Sequence, residues 1–382
     1  MAYQSVDQLQ KVLANKVFHY TKDAKKASGR ALGTLVEIIT FYLLKSWGFE
    51  NSIAIEKPLS EYGNPEITHN VEYSLHPILR GYDFVLPKKL PITSYRLLSS
   101  IENDFPINGF EKKGNILLTS EFILRNSCIV ANRKMPYASH LMSNLHSVTS
   151  DEVQVRLLEQ FSKPYAMFEC KRVGVEEGMK KGPQTIEKAK QGAYVARTVS
   201  SLHKVRLSSG ELYGLIYKQN GEIYTKPYTE LISDVVNSDD PELLKDFILT
   251  VGVVSNHGNW FTSDNHNKEL KVLAQSYDWL LFLTDEGLAE FITELLLKPQ
   301  PLLKPARKAF LASYTAEKKK NAFTKVQMDY EADQVLQSYF VNNLTRIESW
   351  FNIITPRNSS IPKLHSQISQ LRDKNWEVLH SL

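Results

Sequence analysis

Cysteine is nearly absent: Cys128 and Cys170 are the only two in 382 residues. That excludes a disulfide scaffold and a four-cysteine zinc site. No stretch approaches the roughly 20 consecutive apolar residues that span a bilayer, so no membrane partner is expected. Met1 runs directly into a polar stretch at 2–5, which lacks the order of a secretory leader, and a cytoplasmic location is the expectation. No glycine-rich phosphate loop follows a strand and no Gly-x-Ser-x-Gly elbow occurs, which argues against a nucleotide-driven motor and a serine hydrolase. Internal repeats and low-complexity tracts are missing as well. Nor does one sign of charge dominate: 46 Lys and Arg against 42 Asp and Glu leave a net charge of +4. So mild a basic excess permits a nucleic-acid partner without requiring one.

What is present is the composition of a globular protein, 42% hydrophobic and 23% charged. At this length a core of roughly 250–300 residues plus an appended region is expected. The boundary falls near residue 300, where three prolines and four basic residues in 298–308 read as a linker. Residues 301–382 then read as a mainly helical C-terminal region. Leu32, Leu35, Val36, Ile39 and Leu43 form a helical stripe in 31–47, with Ile38, Phe41 and Leu44 making that helix apolar nearly all round. Gly48 stands where it should stop. Residues 51–150 read largely as short strands and loops, an insertion within the 1–300 core. Val153, Val155 and Leu157 alternate as in a half-buried strand, and 161–164 can turn the chain into a second strand over 165–173. A helix from Pro183, a hairpin around Asn220-Gly221, and apolar strands over 247–255 and 278–284 follow, with Asp285 opening a helix to Leu297. The pattern is α/β (α+β): a central mixed β-sheet flanked by helices.

The sharpest local feature is Glu169-Cys170-Lys171. Acidic-x-Lys triplets recur at 23–25, 111–113, 269–271 and 317–319, but only this one ends an apolar, aromatic strand. Residues two apart on a strand share a face, so Glu169 and Lys171 project together above Met167, while Phe168 and Cys170 point to the opposite layer. A charged pair there is either a neutralising structural pair or functional. Asp151 lies 18 positions upstream, where a hairpin through 161–164 brings it beside Glu169; the plainer reading makes Ser150 and Asp151 a helix cap. Glu37 sits mid-helix among apolar residues, either solvated or aimed at a metal or a lysine. Two or three carboxylates with one lysine are what metal-dependent phosphodiester hydrolysis needs: hard oxygen ligands for Mg²⁺ and an ammonium to orient water and offset charge on the phosphate.

Asp151…Glu169-Cys170-Lys171, with a Glu37-bearing helix ahead and a helix behind, resembles the PD-(D/E)xK nuclease superfamily, type II restriction endonucleases in particular. The resemblance covers roughly residues 28–300 and implies a restriction-endonuclease-like core. It implies that Asp151 and Glu169 bind Mg²⁺, that the Cys170 backbone carbonyl is a further ligand, and that Lys171 positions the attacking water. Glu37 is the implied auxiliary acid, and Gln191 is the polar residue of the following helix that faces the site. A serine, Ser150, stands where the pattern has proline, and Asp83 in the strand-like stretch 80–85 replaces Asp151 if an insertion separates the motif halves. The activity implied is sequence-specific cleavage of double-stranded DNA, by a homodimer with one site per subunit. A repair or branched-DNA nuclease with the same site, and a non-catalytic DNA- or protein-binding module, are the alternatives.

Weaker signals are basic. Lys11, Lys16, Lys22, Lys25, Lys26 and Arg30 line the N-terminal stretch, and 180–181 and 318–320 are lysine runs; each is either a phosphate grip or a solvated face. His257 and His266 without cysteines do not make a zinc site.

Overall fold

The computed structural model describes residues 6–102, 105, 107–133, 139–173, 183–218, 220–256, 268–314 and 321–381. His257, His266 and the lysines at 180–181 and 318–320 lie outside them. The chain divides into two interleaved units. One comprises Met1–Ile55, His76–Lys163 and Asp285–Trp350, the other Glu56–Leu75, Pro164–Thr284 and Phe351–Leu382. The expected division near residue 300 therefore falls differently: the chain passes between the units several times. Residues 301–303 form a helical turn that runs into the helix Lys304–Ala312, rather than a linker. Its Pro305 lies in the first turn, where the missing N–H loses no helical bond. The C-terminal region also contributes strands, Gln327–Asp329 and Phe351–Thr355, and is not simply helical.

The first unit contains the helix Ala24–Ser46. Asp23 caps it by accepting from the Lys26 N–H at 2.9 Å, and Gly48, at a φ of 80°, ends it. This helix is long and apolar enough to cross a membrane, so the sequence-based exclusion of such a segment was too broad; yet 67% of its most apolar window is buried in the protein, as in a core helix. The same unit holds an antiparallel five-stranded sheet in which Glu152–Phe161 lies between Ile78–Pro87 and Ser139–Val148. Leu86, Leu141, Val153, Val155 and Leu157 share its core. The basic N-terminal residues are exposed on Val6–Lys16, on Ala24–Ser46 and on the turn between them.

The second unit is organised on a six-stranded mixed sheet, in the order Ile53–Glu61, Asn64–Leu75, Ala166–Val173, Leu249–Asn256, Trp279–Leu283 and Phe351–Thr355. Leu249–Asn256 and Trp279–Leu283 are buried at every position and pair in parallel, as strands covered on both faces do. The helices Pro183–Thr198 and Lys268–Ser276 contribute Ala193, Val195, Ala196, Leu270 and Leu273 to a core with Met167, Val173, Val199 and Leu280. A small antiparallel sheet of His203–Arg206, Leu212–Tyr217 and Ile223–Pro227 follows the first of these helices. The mixed α/β class read from the pattern is thus observed.

One expected local pairing is absent. Glu152–Phe161 and Ala166–Val173 do not form a hairpin: the former pairs with Ile78–Pro87 and Ser139–Val148, the latter with Asn64–Leu75 and Leu249–Asn256. The turn at 161–164 passes the chain from one sheet to another instead of folding it back.

Candidate active site

Antiparallel pairing between Ala166–Val173 and Asn64–Leu75 sets Ala166 opposite Leu75, Met167 opposite Ser74 and Phe168 opposite Tyr73. Past the last of these pairs, Glu169 and Glu72 are the next residues on their strands, and the two carboxylates come together. Val71, Tyr73, Ser74 and Leu75 around Glu72 are fully buried, while Glu72 itself is half-buried. Like charges on neighbouring strands repel, so this approach requires compensation.

Four contacts supply it. The Glu72 backbone N–H donates to Glu169 Oε1 at 3.2 Å, and the Cys170 backbone N–H donates to Glu72 Oε2. Lys171 Nζ lies 3.1 Å from Glu169 Oε2 and 3.6 Å from Glu72 Oε1. Glu169 is 4% exposed, whereas the Lys171 side chain is 28% exposed and keeps a solvent-facing side. Burial pushes the Glu169 carboxyl above its usual value; Lys171 opposes this and Glu72 reinforces it. Burial lowers the Lys171 ammonium, but Glu72 and Glu169 outweigh it and hold the lysine protonated well above neutral pH.

Two glycines make room for a fourth member. A Cβ on Gly252, which pairs in register with Glu169, would meet the Tyr277 ring at 2.8 Å. A Cβ on Gly192 would meet the Tyr277 hydroxyl at 2.7 Å and Lys171 Cε at 3.4 Å. Tyr277 is thereby wedged between the helix and the sheet beside Lys171. Among the described residues its buried hydroxyl has no hydrogen-bond partner. Burial holds the phenol well above its usual value, and Glu169 and Glu72 push it the same way.

The other expected site residues are placed differently. Asp151 lies in the first unit, exposed in the turn between Ser139–Val148 and Glu152–Phe161, and accepts from its neighbour Ser150 at 2.7 Å. It is not across a hairpin from Glu169, because its strand pairs elsewhere. Asp83, also in the first unit, faces Arg156 in register and takes a bidentate bond from it at 2.7 and 2.8 Å on an exposed surface. Neither aspartate is the partner of Glu169; Glu72 is. Glu37 belongs to the first unit as well, 3.6 Å from Lys325 Nζ, one of the two partners expected of it. Gln191 is exposed on Pro183–Thr198, one residue before Gly192. Tyr194 of the same helix donates to Glu61 at 2.6 Å.

Among the described residues no group of three or more His, Cys, Asp or Glu side chains is arranged to hold a metal. Glu72 and Glu169 form a two-carboxylate set, and that set suits Mg²⁺, which uses one or two carboxylates and keeps several waters. The unpartnered Tyr277 hydroxyl is one further oxygen beside it. Glu72 and Tyr277 both escaped the sequence reading. Alternation over 71–75 and the Tyr62-Gly63-Asn64 turn before it were the available signal for Glu72. No protein-family model matches this chain, and neither any curated protein nor any solved structure is similar to it.

Proposed function

We propose that this chain is a Mg²⁺-dependent endonuclease that hydrolyses phosphodiester bonds in double-stranded DNA at specific sequences, in the manner of type II restriction enzymes. The observation that carries the reading is Lys171 Nζ held 3.1 and 3.6 Å from two carboxylates on adjacent antiparallel strands, one of them almost completely buried. The order of elements agrees with a restriction-endonuclease-like core: a Glu37-bearing helix ahead, a helix behind the Glu169–Lys171 strand, and residues 76–163 as the excursion between the two site strands. Glu72 takes the role that the resemblance assigned to Asp151.

Glu72 and Glu169, with the Cys170 backbone carbonyl, are the groups that would hold the metal. When bound, Mg²⁺ supplies Lewis-acid stabilisation of charge on the phosphoryl group. The Lys171 ammonium orients the attacking water and offsets charge that builds on the phosphate. Burial of Glu169 strengthens each of these interactions relative to bulk water. Cleavage of both strands calls for two such sites, hence a homodimer.

The test is incubation of the chain with long duplex DNA, with and without Mg²⁺, followed by electrophoresis. Discrete fragments that need Mg²⁺ and disappear in Glu169→Ala and Lys171→Ala support the reading. Cleavage confined to branched substrates keeps the hydrolysis and discards the restriction role. DNA left intact in every form, or normal cutting by either variant, overturns it.

A further inference from the structure

A second feature of the same unit stands apart from the carboxylates. A cleft of about 270 Å³ opens beside the small sheet, lined by Arg197, His203, Lys204, Arg206, Tyr228 and Asp278 among others. Asp278 is the one acidic side chain in its lining, and it is already engaged: it accepts from the Thr250 N–H at 2.7 Å, from Thr250 Oγ1 at 2.9 Å and from the Tyr228 hydroxyl. Lys204 donates to the Tyr277 carbonyl, with its ammonium 4.3 Å above the Tyr228 ring. Its burial pulls the ammonium down to about 8, the mark of a cation short of negative partners. Burial holds the His203 imidazole below its usual value. The lining thus carries three cations and a single, spoken-for carboxylate.

His203 also belongs to a row of rings. Its centroid is 5.9 Å from Tyr62 and 6.0 Å from Tyr217. Tyr62 is 37% exposed and Tyr217 54% exposed, although large aromatic side chains ordinarily bury their faces. Phosphate-seeking cations next to open aromatic faces are the two ingredients of a surface for unpaired nucleic acid, since every base offers a face to stack and every nucleotide a phosphate. A duplex cannot use the rings, because its bases are stacked on one another.

We propose that this cleft binds a single-stranded nucleic-acid segment, with a phosphate among Arg197, Lys204 and Arg206 and the neighbouring bases against Tyr62, His203 and Tyr217. The assignment goes beyond the hydrolase reading and does not depend on it. Fluorescence anisotropy of a labelled oligothymidine, in EDTA so that no metal acts at the carboxylates, tests it. The wild-type chain binds the single strand more tightly than a duplex of equal length. Tyr217→Ala weakens binding by about tenfold, the loss of one stacked base. Arg206→Ala lowers the salt slope by about 0.7, one phosphate contact on a single strand. Both side chains are exposed, so folding survives either change, and Glu169→Gln, which disables the carboxylate site, leaves the affinity unaltered. Preference for the duplex, or wild-type affinity and salt slope in both variants, overturns the proposal. Absence of any nuclease activity would leave it standing.

Discussion

Each unit buries a tyrosine, a lysine and a carboxylate together, and the two clusters differ in how completely they are satisfied. In the first unit the Tyr42 hydroxyl donates to Asp333 at 2.7 Å, and Lys45 Nζ lies 3.3 and 3.4 Å from the two oxygens of the same carboxylate. One acid meets one base, and the phenol is used. In the second unit two carboxylates share Lys171, and the Tyr277 hydroxyl has no partner among the described residues. A cluster selected for stability closes its hydrogen bonds, because each buried polar atom left open costs free energy. Two carboxylates on one lysine and an open hydroxyl are tolerated where a ligand completes the set. That contrast separates a structural ion pair from a candidate site more sharply than burial, which the two clusters share.

The largest expected effect is on turnover. Lys171→Ala and Glu169→Gln each lower Mg²⁺-dependent cleavage by about 10²–10³-fold or more, the usual cost of removing one preorganised electrostatic contributor. Asp83→Ala and Asp151→Ala leave cleavage at the wild-type rate, because both side chains are exposed and engaged elsewhere, Asp83 by Arg156 and Asp151 by Ser150. A thermal shift extends the comparison without any turnover: Mg²⁺ stabilises the wild-type chain by about 2.7 kcal/mol at a concentration 100 times its dissociation constant. It does nothing for Glu169→Gln. Equal stabilisation of both proteins would move the metal elsewhere.

Stability responds in the reverse sense. Asp333→Ala leaves Lys45 and Tyr42 buried without their acceptor and costs about 3–5 kcal/mol. Glu169→Gln costs far less or raises stability, since it removes one of two facing carboxylates. The pH dependence follows. Burial, reinforced by Glu72 and opposed by Lys171, raises the folded carboxyl of Glu169 above its unfolded value. The folded state therefore binds this proton more tightly, and stability falls as pH rises through the interval between the two values. Denaturant titrations at several pH values should show that decline in the wild-type chain and its absence in Glu169→Gln.

Local pattern was enough for the strands and helices that hold the site. The apolar period around Leu35 and Val36, the stop at Gly48, and the strand through Glu169 depend on neighbouring residues, and all three are observed. The carboxylate partner was not legible because it is a matter of pairing. Glu72 and Glu169 are 97 residues apart, and the excursion between them folds into another unit. Asp151 was the nearer acid, but Val153, Val155 and Leu157 commit its strand to the first unit's core. Tyr277 was invisible for a related reason: its place depends on Gly192 and Gly252, which reads as meaningful only after the helix and two strands are assembled.

A conservative pair of substitutions probes the hydroxyls themselves. Tyr42→Phe removes a donor from a buried carboxylate and costs about 1.5–3 kcal/mol, the range for a hydrogen bond to a charged group. Tyr277→Phe removes a hydroxyl that bonds to nothing among the described residues, so unfolding free energy stays at the wild-type value or rises. Cleavage by Tyr277→Phe is the more telling measurement. Were the phenol idle, rate and stability would both be unchanged; a slower enzyme of undiminished stability gives the open hydroxyl a role beside the carboxylates. A loss as large as that of Tyr42→Phe would mean the hydroxyl has a partner after all, and the contrast between the clusters would fail.

The smallest effect belongs to the exposed pair that competed for the same role in the sequence. Arg156 holds Asp83 in a bidentate bond, and that bond lowers the Asp83 carboxyl below its usual value. The Asp83 side chain is 66% exposed, so solvent screens most of the attraction and Asp83→Asn costs at most about 1 kcal/mol at neutral pH. The sign with pH is opposite to that of Glu169. A folded carboxyl held below its unfolded value contributes stability in full above that unfolded value and loses it as pH falls through the folded one. Acid titration of unfolding should therefore show the wild-type advantage over Asp83→Asn shrinking from pH 4 downward, while the stability of wild type relative to Glu169→Gln falls toward neutral pH. Opposite slopes from two carboxylates that read alike in sequence would separate an exposed ion pair from a buried, charge-imbalanced site. Parallel slopes would reduce both to ordinary surface electrostatics.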